Sequence, residues 1–132
     1  MIARVQTVDG VVAVDLDEEV VLGLDAADSV KRAAPVAVSL PRVIAAAASG
    51  STVVAVVNAR PPVLVSHDGG RTWRDSGRGL PAGRAVAISD DDPDLVVFAA
   101  RNRLYVSRDG GRFWQGLTVE LPEIEAVQLG SP

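Results

Sequence analysis

The chain has 132 residues, 48% of them hydrophobic and 23% charged, with no cysteine and a formal charge of −4 at pH 7. That balance suits one globular domain over 1–132 and excludes an intrinsically disordered chain, disulfides and thiolate chemistry. No apolar run is long enough to span a bilayer as a helix, and an acidic chain with 4% aromatic residues is a poor candidate for binding nucleic acid.

The opening "MIARVQTVDG" lacks the pattern of a signal peptide. A cytoplasmic location is therefore expected, or a secreted one if the chain is a mature fragment. Acids crowd into the first thirty residues, where Arg4 is the single base, whereas arginines dominate the middle of the chain. Such asymmetry can steer two surfaces together.

In chain order, the first strand signals are "GVVAVDL" (10–16) and "EVVLGLD" (19–25), followed by "AADSVKR". A second and clearer group follows: "RVIAAAAS" (42–49), "TVVAVVN" (52–58), "PVLVSH" (62–67) and "TWRDS" (72–76). Each is a short Val- or Ala-rich run bounded by Gly, Pro, Asn or Asp, as strands are. The alanines 45–48 favour a helix by propensity, but their neighbours predict a strand. A third group repeats the pattern with "AVAIS" (85–89), "DLVVFAA" (94–100) and "RLYVS" (103–107), and the tail "IEAVQLGSP" matches the opening of another unit.

The repeat is sharpest in the octets "SHDGGRTW" (66–73) and "SRDGGRFW" (107–114), with "LP" recurring at 40–41, 80–81 and 121–122. Three units are predicted, approximately 1–41, 42–82 and 83–123, plus an extra C-terminal strand 124–129. In the first unit Asp25, Ser29 and Val30 are placed where Asp68, Thr72 and Trp73 stand in the second. Each octet reads as a hairpin turn with its own fastening. Paired glycines permit positive φ, the Asp accepts nearby backbone N–H groups, and the Trp re-enters the sheet.

These octets resemble the Asp-box, or BNR repeat, with pattern S/T-x-D-x-G-x-T-W. The matching residues are Ser66, Asp68, Gly70, Thr72 and Trp73, then Ser107, Asp109, Gly111 and Trp114; Phe113 departs from the expected Thr. Sialidases, sortilin-type receptor domains, xyloglucan-active glycosidases and photosystem II assembly factors of the Ycf48 type carry this motif. The resemblance implies all-β propeller blades, four strands each, with the box between the third and fourth strands on the face opposite the usual ligand site.

Propellers typically close with four to eight blades. Three units therefore imply a ring completed by homo-oligomerisation, six-bladed as a homodimer, with strand 124–129 shared across the junction. A β-trefoil monomer is the alternative fold, and a fragment of a longer chain is a third possibility.

The resemblance places ligand contacts on the opposite face, at Arg60, Arg78, Arg84, Arg101, Asn102 and Arg103. Guanidinium groups there suit an acidic protein segment or a glycan carboxylate. No catalytic constellation is legible: Tyr105 precedes a box as a packing residue, and Asp90, Asp91, Asp92 and Asp94 read as a solvated turn. His67 lies at a variable box position with no companion ligands. The expectation is a non-catalytic binding scaffold with no cofactor and no metal; a glycan-binding or sialidase-like glycosidase is the alternative.

Overall fold

The computed structural model describes residues 1–25 and 38–130. Among them the structure is all-β, with three separate four-stranded antiparallel sheets. The second sheet runs in sequence order through β4 (Val43–Ser49), β5 (Thr52–Val57), β6 (Val63–Ser66) and β7 (Arg74–Ser76). The third does the same with β8 (Ala85–Ile88), β9 (Val96–Ala99), β10 (Leu104–Ser107) and β11 (Gln115–Gly116). The first sheet draws on both ends of the chain. Its order is β12 (Ile124–Gly130), β1 (Ile2–Thr7), β2 (Gly10–Asp15) and β3 (Val20–Asp25).

Strand periodicity explains how these sheets stack. Successive side chains point to opposite faces, so β9 sends Val97 and Ala99 towards the first sheet and Val96 and Phe98 towards the second. With both faces covered, "VVFA" reads as an unbroken apolar run. Ala3, Val5, Val12 and Val14 meet β9 and β10 on one side, and Val54, Val56, Val63 and Val65 meet the third sheet on the other. Each fully buried Val contributes roughly 1.5–2 kcal/mol of transfer free energy.

The third sheet thus lies between the other two, and its strand β8 neighbours both β4 and β12. No described strand of the first sheet touches one of the second. Gly83 lets the second and third sheets close up. A Cβ there would stand 2.4 Å from Phe98 Cε2 and 2.7 Å from Val56 Cγ1.

Two expectations are corrected. The three sheets are hydrogen-bonded separately, so the barrel that a β-trefoil requires is absent from the described residues. The tail strand pairs with β1 of its own chain, from Ile2–Gly130 to Thr7–Ile124, and is not left over for a second protomer. This pairing also shifts the roles in the first unit. With β12 added beside β1, β2 and β3 become third and fourth strands, and the turn equivalent to a box is 16–19. Asp25 instead ends β3, while Ser29 and Val30 lie outside the described residues.

Candidate functional site

Antiparallel pairing puts the β6–β7 and β10–β11 turns, which carry the two octets, at one end of the sheets. The β5–β6, β7–β8 and β9–β10 connections, which carry the candidate arginines, fall at the other.

At the box end the first octet is closed by its own side chains. Ser66 Oγ donates to Asp68 Oδ1 (2.7 Å) and accepts from Gly70 N (2.8 Å). Asp68 accepts from the N–H groups of Arg71 (3.1 Å) and Thr72 (2.9 Å) and from the Thr72 hydroxyl (2.6 Å). The Thr72 hydroxyl, then its N–H and the Ser66 hydroxyl, hold the Asp68 carboxyl far below the usual carboxylate range.

The second octet repeats the pattern. Ser107 Oγ donates to Asp109 Oδ1 (2.8 Å) and accepts from Gly111 N (2.8 Å), while Arg112 and Phe113 donate to Asp109 at 3.1 and 3.0 Å. The Phe113 N–H, foremost, lowers the Asp109 carboxyl, against an opposing effect of burial. Phe113 offers no hydroxyl and stands 79% exposed.

These carboxylates bond to N–H and hydroxyl groups of their own octets, which makes them fasteners. The octet also binds its neighbour. Trp114 Nε1 donates to Ser76 Oγ on β7 (2.9 Å), and the Ser76 hydroxyl donates to the Gly111 carbonyl. The Trp114 ring meets Phe98 edge-on at 6.1 Å.

The turn 16–19 does the same work without glycine. Asp15 Oδ1 accepts from Asp17 N (2.9 Å) and Glu18 N (3.1 Å), and Glu19 takes a positive φ of 56°. Asp17 pairs with Arg108 and with the Met1 amino group, both at 2.9 Å, and Glu19 Oε1 accepts from Thr118 N (3.0 Å). The amino group, first, and Arg108 hold the Asp17 carboxyl below its ordinary value. The segments 10–16 and 19–25 bracket this turn in the sequence, but without glycines it does not read as the equivalent of a box.

Tyr105 packs edge-on against Phe98 at 6.0 Å. Ser89 and Asp92 cap the turn that holds Asp90, Asp91, Asp92 and Asp94, where Asp92 N donates to Ser89 Oγ (3.2 Å) and Asp94 N to Asp92 Oδ1 (3.1 Å). His67 Nδ1 lies 3.4 Å from Thr52 Oγ1. No cluster of three potential metal ligands occurs among the described residues.

At the opposite end the six candidates fall into two groups. Arg84 and Arg101 converge on Glu123, each at 3.2 Å, and Arg103 pairs with Glu120 at 3.1 Å. Asn102 serves through its carbonyl, which accepts from Leu121 N (2.8 Å). Arg60 and Arg78 instead line one cavity of about 350 Å³ with Pro61, Pro62, Gly79 and Leu80. Neither has a carboxylate partner among the described residues. The sequence marked both arginines; the apolar wall of Pro61, Pro62 and Leu80 was not foreseen, although the adjacent prolines were its signal.

No protein-family model matches the chain, and no curated protein matches it. Among solved structures, one of Ycf48 bound to a D1 peptide aligns over 93% of this chain and 38% of that one, at 18% identity and a TM-score of 0.52. A GH74 enzyme of Niastella koreensis aligns over 58% of this chain and 12% of that one, at 24% identity and a TM-score of 0.47. The chain thus spans well under half the length of either protein. The likeness to Ycf48, a β-propeller, is one of fold.

Proposed function

We propose that the three sheets are Asp-box propeller blades, completed into a ring by a second copy, and that they form a non-catalytic scaffold binding a carboxylate-bearing peptide segment at Arg60 and Arg78. One observation carries this reading: Arg60 and Arg78 face a common cavity unpaired among the described residues, while Arg84, Arg101 and Arg103 are already paired with Glu123 and Glu120. Guanidinium groups grip carboxylates in a two-pronged fork. Pro61, Pro62 and Leu80 offer an apolar wall for a neighbouring side chain of the same segment.

A peptide is favoured over a glycan on two grounds. The Ycf48 structure that shares this fold is a complex with a peptide. A glycosidase site requires two carboxyl groups flanking the scissile bond, and none of the described residues lining this cavity is acidic.

Fluorescence anisotropy with a labelled Glu-rich peptide and its Gln-rich counterpart tests the reading. The acidic peptide should bind, the neutral one should not, and Arg60→Ala/Arg78→Ala should weaken binding at least about tenfold. Arg101→Ala/Arg103→Ala should leave affinity nearly unchanged. Equal affinity in the Arg60/Arg78 variant would overturn the assignment.

A further inference from the structure

Both internal junctions use the same joint. The turn between the third and fourth strands of one sheet acts as a plug, and the outer strands of the preceding sheet act as its socket. In the third sheet, the plug is the octet 107–114, seated on Ser76 through Trp114, with Gly111 so close to Val65 that a Cβ would meet its Cγ2 at 2.9 Å. In the first sheet, the plug is 16–19, seated on Arg108 and Thr118, with Leu16 buried in the core that holds Leu117.

One plug and one socket remain. The second sheet's octet, 66–73, meets no preceding sheet among the described residues. Trp73 is half-buried like Trp114, yet its Nε1 has no acceptor corresponding to Ser76 among the described residues. On the first sheet β3 is an edge strand without a plug among the described residues, and Val20, Val21 and Leu22 are 43%, 45% and 57% exposed. The two cannot meet within one chain, because the third sheet separates them.

Their charges are opposite. Arg71, within the free plug, is exposed and without a carboxylate partner among the described residues. Glu18, exposed, lies in the turn that leads into the free socket.

We infer that the Trp73 octet of one copy seats on the Val20–Leu22 strand of a second copy, whose own octet seats on the first. The partner is a second copy because the missing socket is a form of the joint this chain already builds twice, with the complementary charge. A two-fold axis makes both junctions identical and closes six sheets into one ring. The inference rests on the blade reading above and names the surfaces that complete it.

Light scattering after size exclusion tests it with wild type, Leu22→Glu and Arg71→Glu. Leu22 is exposed and Arg71 lies on a turn, so all three chains should show the same β-sheet circular dichroism. Wild type should run at twice the 13.7 kDa chain mass and each variant as a monomer. An equimolar mixture of the variants should recover part of the dimer, since one junction per ring is then intact. Trp73→Phe, which keeps an aromatic ring and loses the N–H, should weaken the dimer.

A monomeric wild type at micromolar concentration would overturn both the inference and the ring. A wild-type dimer that survives both charge variants would overturn the Trp73–β3 joint and leave the ring standing. Open-ended larger species would overturn the closed pair.

Discussion

Trp114 and Ser76 are joined by a 2.9 Å hydrogen bond that crosses from the third sheet to the second. Ser76 lies 9% exposed at the end of β7 and donates its own hydrogen bond to the carbonyl of Gly111, in the same octet as Trp114. The octet therefore does more than close a hairpin. Its aspartate shapes the turn, and its tryptophan ties the turn to the adjoining sheet.

Ser76→Ala should leave the Trp114 N–H and the Gly111 carbonyl unpaired together. The expected cost is about 1–3 kcal/mol, read as a lower urea midpoint. Trp114→Phe should also destabilise, because Ser76 loses its donor while keeping its acceptor. A Ser76→Ala midpoint equal to wild type would contradict the tie between sheets.

Phe113 occupies the position at which Thr72 donates to its aspartate, and its ring is largely in solvent. Phe113→Thr should supply Asp109 with the missing hydroxyl and remove exposed apolar surface, raising stability by up to about 1 kcal/mol. Thr72→Val should lower it. Thermal melts of the two variants moving in the same direction would refute the equivalence of the octets.

Stability should fall in acid through the two box aspartates. Both carboxyls titrate lower in the folded chain than the unfolded value of about 3.9. The unfolded chain therefore binds more protons as pH drops, so their contribution is complete above about pH 4 and is lost below it. Asp68→Asn should be less stable than wild type near neutrality, with the difference shrinking as acid is added. A constant difference in urea midpoint across that range would count against the charged fastener.

Gly83→Ala should be costly although Gly83 sits in a connection. The added methyl would fall within 2.4–2.7 Å of Phe98 and Val56, both fully buried, so neither can swing aside. Overpacking of this kind costs about 1–3 kcal/mol. A variant with the wild-type melting temperature would mean the second and third sheets are not held as closely as described.

The second and third sheets were legible in the sequence because their short apolar runs are bounded by turn residues and the "DGG" turns mark where they fold back. Even the alanines 45–48 resolve into β4. In the first sheet the strands at 10–15, 20–25 and 124–130 were legible but their arrangement was not, for two physical reasons. Its plug turn uses Glu19 in a left-handed conformation where glycine is expected. Its inner strand arrives from residues 124–130, a pairing set by tertiary contact rather than by neighbouring residues. The arginine rim was legible as composition only. Which arginines remain unpaired depends on Glu120 and Glu123, and only the folded chain brings these beside Arg103, Arg84 and Arg101.

The most direct test of the proposed function is an NMR titration of the wild-type chain with the Glu-rich peptide, following the arginine side-chain N–H signals and the two tryptophan indole signals. The carboxylate site at Arg60 and Arg78 requires their resonances to shift and saturate while the Trp73 and Trp114 indoles, at the opposite end of the sheets, stay in place. Shifts confined to the indoles, or none at all, would contradict it.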